Sequence, residues 1–260
     1  MQKVDPVRTI FDIPIFGGSR DALLEMVKKR VESDKKRPLL TIFTPNPEQI
    51  VQSKRDDRFF SVLSTNEVNI PDGQGIVWAL ERSAVSQSGK PLAIERMPGR
   101  EIFHTLLEMA ANNEWKVFFL GGKPGSAEEI VAMYKKKYPH VDWRVDQGQK
   151  NVRNEDAASS ERILTSISTY SPDLVFVAYG APWQEFWIHQ NTEFLENTGV
   201  KLAMVVGGAF EYEAGKAFHV SSLVETLHLE WLQRLLLEPW RWRRQLRGLQ
   251  FFLWVLQGKG

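Results

Sequence analysis

Two hydrophobic periods take turns along this chain. Short, nearly continuous apolar runs read as strands buried on both faces: PLLTIF (38–43), EVNIP (67–71), residues 116–120, DLVFVAY (173–179) and KLAMVV (201–206). Between them, apolar positions recur at helical spacing, as Leu23, Leu24, Val27 and Val31 do in the segment from Ser19 to about Ser33. The same rule predicts helices over Glu48 to Phe60, from about Ile76, over Glu101 to Asn113, 126–137, Glu155 to Tyr170, and Gln184 to about Asn197. RTIFDIPI (8–15) alternates apolar and polar and reads as one strand; another is expected around His140 to Arg144. Residues 83–100 are the least regular and read as a mobile loop. Strands alternating with helices predict an α/β fold, Rossmann-like, with a mostly parallel sheet and helices on both faces.

In such sheets ligands sit at the carboxyl ends of the strands, so the residues there come next. Thr44 and Asn46 follow the first buried strand in TPNPE; they either cap the next helix or face a ligand. Asp72 follows EVNIP in DGQG, as a turn residue or as a placed carboxylate. Gly121 and Gly122 open GGKPGSAEEI, where Ser126 and Glu129 form a capping-box pattern. Those glycines make either a tight turn or a backbone cradle for phosphate at a helix start. Gln184 follows GAPW, and Gly207, Gly208 and Glu211 follow KLAMVV. Five consecutive polar or glycine-rich strand ends point to a site for a polar, phosphorylated ligand.

The C-terminal stretch 226–257 departs from this pattern. Leu229, Leu232, Leu235, Leu236 and Trp240 recur at helical spacing, and Arg234, Arg241 and Arg244 fall within about 80° of one another on a helix. Pro239 interrupts the run, so two short helices or one kinked helix is expected. A basic, Trp-rich amphipathic segment suits an anionic membrane surface or a phosphate-bearing partner; the other reading is a helix docked on the core with a solvated basic face. The chain is therefore expected to divide into an α/β domain, 1–222, which carries the strand-end site, and a helical appendage, 223–260.

Charge sharpens that division. The net charge of +1 conceals six basic against two acidic residues in 226–260, which leaves the remainder at −3 and argues against general nucleic-acid affinity. No cysteine is present, which removes disulfides, thiolate metal sites and cysteine nucleophiles. The five histidines show no zinc-site spacing, and no G-x-S-x-G elbow occurs. The N-terminus lacks the apolar core of a signal peptide, and no run approaches the ~18 apolar residues of a spanning helix. Contact with a membrane is expected to be peripheral.

Taken in order, TPNPE (44–48), IPDGQGIVWA (70–79), ER-x-x-G (95–99), FFLGGKPG (118–125), GAPWQEFWI (180–188), VGGAFEYEAGK (206–216) and LEWLQRLLLEPWRWRR (229–244) resemble the WecG/TagA/CpsF family of bacterial glycosyltransferases. The resemblance covers roughly residues 8–245. It implies an inverting, metal-independent enzyme without a cofactor, moving N-acetylmannosamine or its uronic acid from a UDP-sugar to polyprenyl-diphosphate-linked N-acetylglucosamine. Such enzymes serve wall teichoic acid, enterobacterial common antigen, capsule or exopolysaccharide assembly.

The family's polar positions fall on Thr44, Asn46, Asp72, Arg96 and Gln184. Asp72 is then the expected base, and Arg96 with the glycines at 121–122 and 207–208 would offset charge on the leaving UDP. Thr44, Asn46 and Gln184 would orient sugar hydroxyls. Arg234, Arg241 and Arg244 would meet the lipid diphosphate, with Trp240, Trp242, Phe251, Phe252 and Trp254 at the membrane interface. Truncation after about Ser222 is expected to leave a folded protein inactive on the lipid acceptor. Self-association through the globular part is also implied. Two departures bear on the sugar: Phe218-His219-Val220 replaces the family's Arg-Ala-Pro, and Glu211 replaces its usual Asp.

Two other readings compete. A nicotinamide-dependent oxidoreductase would use GGKPG with Asp142 or Asp146 as the ribose-binding acid, against the wrong glycine spacing. A non-catalytic membrane-surface or RNA-binding module would use the basic tail alone and leave the strand ends unexplained.

Overall fold

A computed structural model describes residues 8–33, 35, 37–88, 94–154, 156–216 and 242–258; within these, the side chains of 84–88 and 242–247 are left aside. The first expected strand is a hairpin, β1 (Arg8–Ile10) and β2 (Ile13–Ile15), paired antiparallel. Phe11 and Asp12 turn it with φ of 50° and 67°, the two positive values a tight hairpin turn demands. No Gly or Asn signals this turn, so the alternation 8–15 hid it.

Six strands build the main sheet: β3 (Leu40–Phe43), β4 (Val68–Asn69), β5 (Val117–Gly121), β6 (Arg144–Asp146), β7 (Leu174–Ala178) and β8 (Leu202–Val205). They lie in the order β4-β3-β8-β7-β5-β6, and every pairing is parallel. Successive residues feed opposite faces, which is why the strands read as continuous apolar runs. Val117, Phe119, Leu174, Phe176, Leu202 and Met204 join one core; Phe118, Leu120, Val175, Val177, Ala203 and Val205 join the other.

The first core is covered by α1 (Arg20–Val31), α5 (Gly99–Asn112) and α6 (Ser126–Lys137). The second lies under α2 (Pro47–Ser53), α3 (Asp57–Thr65), α4 (Gln74–Ser88), α7 (Ala157–Tyr170) and α8 (Trp183–Gln190), with the short α9 (Thr192–Asn197) following α8. The short α10 (Ala209–Glu213) follows β8, and α11 (Trp242–Leu256) is the last helix described.

Several boundaries differ from the periodicity for identifiable reasons. The helix expected over 48–60 is two helices, because Asp56 takes the Phe59 N–H at 3.0 Å and starts a new one. Residues 83–88 continue α4 instead of opening a loop. The helix after GGKPG is capped by Gly125 at φ 83°, not by Ser126, whose buried hydroxyl has no partner among the described residues. The segment 184–197 divides at Asn191 into α8 and α9.

The C-terminal helix is placed differently from a free amphipathic tail. Phe251 is fully buried, with Val255 close behind, and α11 packs on α2 as part of the second core. Phe251 meets Phe11 edge-on at 6.0 Å, and Phe252 lies 5.3 Å from Trp78. Phe251 therefore serves the core rather than a membrane interface. The apolar residues left outward are Leu249, Leu253 and Leu256, each more than half exposed. Among the described residues no helix is long and apolar enough to cross a membrane.

Candidate active site

The five strand ends singled out in the sequence belong to β4, β3, β8, β7 and β5, which are five successive neighbours in an all-parallel sheet. Their loops accordingly emerge from one edge. Strands lie ~4.8 Å apart, so the β4 end carrying Asp72 is about 10 Å from the β8 end carrying Gly207.

At the β4 end, Asp72 is half-buried and its Oδ1 accepts the N–H of Gly99, the first residue of α5, at 3.1 Å. A helix start stabilises a carboxylate through its unpaired amides and dipole. Thr44 packs against the same glycine so closely that a Cβ there would stand 2.8 Å from the Thr44 methyl. Thr44, Asp72 and Gly99 thus form one contiguous group, a contact no spacing rule reveals. The loop 94–98 is fastened over it: the Met97 N–H donates to the Pro71 carbonyl at 3.1 Å, and the Glu95 carboxylate accepts the Arg20 N–H at 2.8 Å. Arg96, half-buried, sits on this loop between those two anchors.

Asn46 caps α2. Its Oδ1 accepts the Gln49 N–H at 3.0 Å while the Gln49 side chain accepts the Asn46 N–H at 3.0 Å, a reciprocal capping box. The α11 end closes this side of the edge. A Cβ on Gly75 would stand 2.7 Å from Pro47 and 3.1 Å from the Phe252 ring, so the starts of α2 and α4 meet α11 beside Asp72.

At the β5 end, Gly121, Gly122 and Gly125 hold φ of 82°, 84° and 83°, a backbone that favours glycine. A Cβ on Gly122 would stand 2.6 Å from Phe210 of α10, which docks the β5 and β8 loops together. Glu211 reinforces the dock, its Oε1 accepting the Lys123 N–H at 2.9 Å. Lys216, ion-paired with Glu129 at 2.8 Å, brings its Nζ beside Gly125. Lys216 and Lys123 are cations that strand-end reading alone passed over, although Lys216 closes the VGGAFEYEAGK motif.

The glycine amides are less available than expected. The Gly122 N–H donates to the Ala178 carbonyl at 3.1 Å, and the Gly207 N–H to Gln184 Oε1 at 3.1 Å. Gln184 is itself only 2 % exposed, and its Oε1 also accepts the Gly180 N–H at 3.1 Å. Its amide is committed to the β7 and β8 loops rather than turned toward an open cleft. Arg234 and Arg241 lie outside the described residues, as do Phe218-His219-Val220 and Trp240; Arg244 falls in the first turn of α11. Asp146 is engaged by Arg162 and by the Gly148 N–H, and Asp142 is an exposed partner of Arg144, so neither stands ready for a ribose. A cleft of about 210 Å³ opens past β7, between Tyr179, Trp183, Gln149 and Arg153.

Glu185 went unnoticed in the sequence because an acid in a helix's first turn is ordinary. It is fully buried, and desolvation pushes its carboxyl up to about 7 from the usual 4.5. The folded protein therefore holds this proton more tightly than the unfolded chain, and stability falls as pH rises from about 4.5 through 7. The raised value corresponds to about 3 kcal/mol across that window. Thermal unfolding of Glu185→Gln across pH 4.5–8 is expected to lack this alkaline decline; a decline equal to that of the unmodified protein would contradict the assignment.

Glycine-rich and polar loops thus converge on one edge of a parallel sheet, where a carboxylate is set at a helix start. The chain belongs to the WecG/TagA/CpsF family of glycosyl transferases, whose pattern it matches over residues 8–259. It is 30 % identical over 251 residues, 96 % of this chain and 91 % of the relative, to the N-acetylglucosaminyldiphosphoundecaprenol N-acetyl-beta-D-mannosaminyltransferase of Bacillus subtilis strain 168. Proteins of the same name from Bacillus spizizenii strain W23 and Staphylococcus aureus strain NCTC 8325 are 32 % identical over 216 residues and 27 % over 256. These alignments cover 83 % and 98 % of this chain, and 78 % and 92 % of the relatives.

Proposed function

We propose that this chain transfers N-acetylmannosamine, or its uronic acid, from a UDP-sugar to polyprenyl-diphosphate-linked N-acetylglucosamine, with inversion at the transferred carbon. The observation that carries the reading is the Thr44–Asp72–Gly99 group on a family member's sheet edge, under the loop that bears Arg96. The relatives' names supply the acceptor and the sugar.

In this reading the acceptor hydroxyl gives its proton to the Asp72 carboxylate as its oxygen forms a bond to the sugar's anomeric carbon. The bond from that carbon to the diphosphate breaks on the opposite face, and UDP leaves with the electron pair. No metal is assigned to this step. Arg96, Lys123 and Lys216 are the cations that offset the growing charge, with backbone amides of the β5 and β8 loops assisting. Gln184 holds the β8 loop to that of β7, and Thr44 and Asn46 border the sugar. Arg234, Arg241 and Arg244 meet the lipid diphosphate, and the protein rests on the cytoplasmic membrane surface through its C-terminal segment. Self-association of the globular part belongs to the same reading.

A thermal-shift panel tests the donor. UDP and UDP-N-acetylmannosamine are expected to raise Tm where NAD does not, since a ligand that binds only the folded state adds about 2.7 kcal/mol at a hundredfold excess over its Kd. Stabilisation by NAD and none by UDP would restore the oxidoreductase reading.

A further inference from the structure

Gln184 and Glu185 open α8 in the interior, inside a run of five buried residues that ends at Ile188. One oxygen of Gln184 receives two N–H groups, from Gly180 and from Gly207. Gly180 follows β7 at φ 76° and Gly207 follows β8 at φ 51°, and these strands are neighbours in the centre of the sheet. A single side-chain oxygen therefore ties together the two central strand ends. An oxygen placed so leaves the amide nitrogen facing the other way, and that nitrogen needs an acceptor. Glu185 provides it: Gln184 Nε2 donates to Glu185 Oε1 at 3.2 Å.

The acceptor is an unusual choice. Glu185 is 0 % exposed, its Oε2 has no hydrogen-bond partner, and no cation pairs with it among the described residues. A buried carboxyl half without partners is costly, and an apolar residue of similar size would suit α8's interior face better. Such a group in a native protein calls for a reason other than stability. Its Oε1 accepts from Gln184, and Gln184 holds the β8 loop, one of those on which the diphosphate of the donor rests in the proposed reaction.

We propose that Glu185 is a positioning residue for sugar transfer: by fixing the orientation of the Gln184 amide it holds the β8 loop, which meets the leaving diphosphate, at a set spacing from the β7 loop. The proposal rests on the donor reading above, and it makes a claim of its own about kinetics. Loops set in advance favour the transition state more than the ground state, so the loss falls on kcat rather than KM.

The test compares full-length Glu185→Gln and Glu185→Leu with the unmodified enzyme. Turnover is read with UDP-N-acetylmannosamine and a short-chain polyprenyl-diphosphate N-acetylglucosamine, and amide hydrogen exchange is read at Gly180 and Gly207 without substrate. The amide oxygen that E185Q introduces still accepts from Gln184, so this variant should keep kcat within about threefold and leave exchange at both glycines unchanged. E185L should hold its Tm at pH 7 yet lose about 10- to 100-fold in kcat, with both KM values little changed and faster exchange at both glycines. Wild-type kcat in E185L, equal impairment of E185Q and E185L, or a loss of kcat that tracks a fall in Tm would each overturn the proposal. If Leu prevents folding, Glu185→Met makes the same comparison. Absence of UDP binding by the unmodified enzyme would sink the donor reading instead, and unchanged exchange in E185L would still decide against the positioning role.

Discussion

Asp72→Asn is expected to lower transfer by about 10²- to 10⁴-fold, the range over which a placed general base accelerates a reaction. The substitution preserves shape and the acceptor oxygen that takes the Gly99 N–H, so the start of α5 and the loop fastened above it stay in place. It removes the capacity to accept a proton. UDP affinity, measured by calorimetry, should therefore remain near that of the unmodified enzyme while kcat collapses. Near-normal turnover by Asp72→Asn would take the base role from this residue. The neighbouring Thr44 and the loop of Arg96 would then be left with a binding part only.

The second large effect concerns α11. Phe251 has no exposed surface and meets Phe11 and Phe252 edge-on at 6.0 and 5.6 Å. Phe251→Ala is expected to cost about 3–5 kcal/mol of stability, as for other large aromatic deletions in a packed core. Removal of the chain from residue 223 onward deletes this ring together with Val255 and uncovers α2, whose Ile50 and Val51 are fully buried. A tail that merely lies on a membrane could be cut without harm to the fold. This helix is part of the second core, so the truncated protein should melt well below the full chain. Phe252 also packs against Gly75 beside the Asp72 turn, which couples the loss of α11 to the site itself. Thermal unfolding of both variants checks this; a truncated form with unchanged Tm would show that α11 adds nothing to the core.

The sheet was legible because its strands are buried on both faces, and a continuous apolar run as short as DLVFVAY fits little besides a strand covered above and below. Parallel pairing also made the strand ends meaningful in sequence, since each one had to reach the same edge. What spacing conceals is how a polar group is used once it arrives. Asn46 and Gln184 stand at strand ends like Asp72, yet their amides serve the protein's own backbone. The Gly122 and Gly207 amides are engaged in the same way, although their loops have the form of a phosphate cradle. Glu185 escaped notice for the opposite reason: its identity suggests an exposed helix start, and only the surrounding α8 packing shows it buried. The hairpin turn at Phe11 and Asp12 lacks the Gly or Asn that would mark it, and the seat of α11 on α2 is a long-range outcome that no local pattern encodes.

Transfer itself is the most direct measurement. Purified full-length protein, incubated with UDP-N-acetylmannosamine and a short-chain polyprenyl-diphosphate N-acetylglucosamine, should yield free UDP and a lipid-linked disaccharide of inverted anomeric configuration, seen by mass spectrometry and NMR. Binding of UDP without any disaccharide from this sugar or its uronic acid would contradict the assignment of these strand ends to sugar transfer.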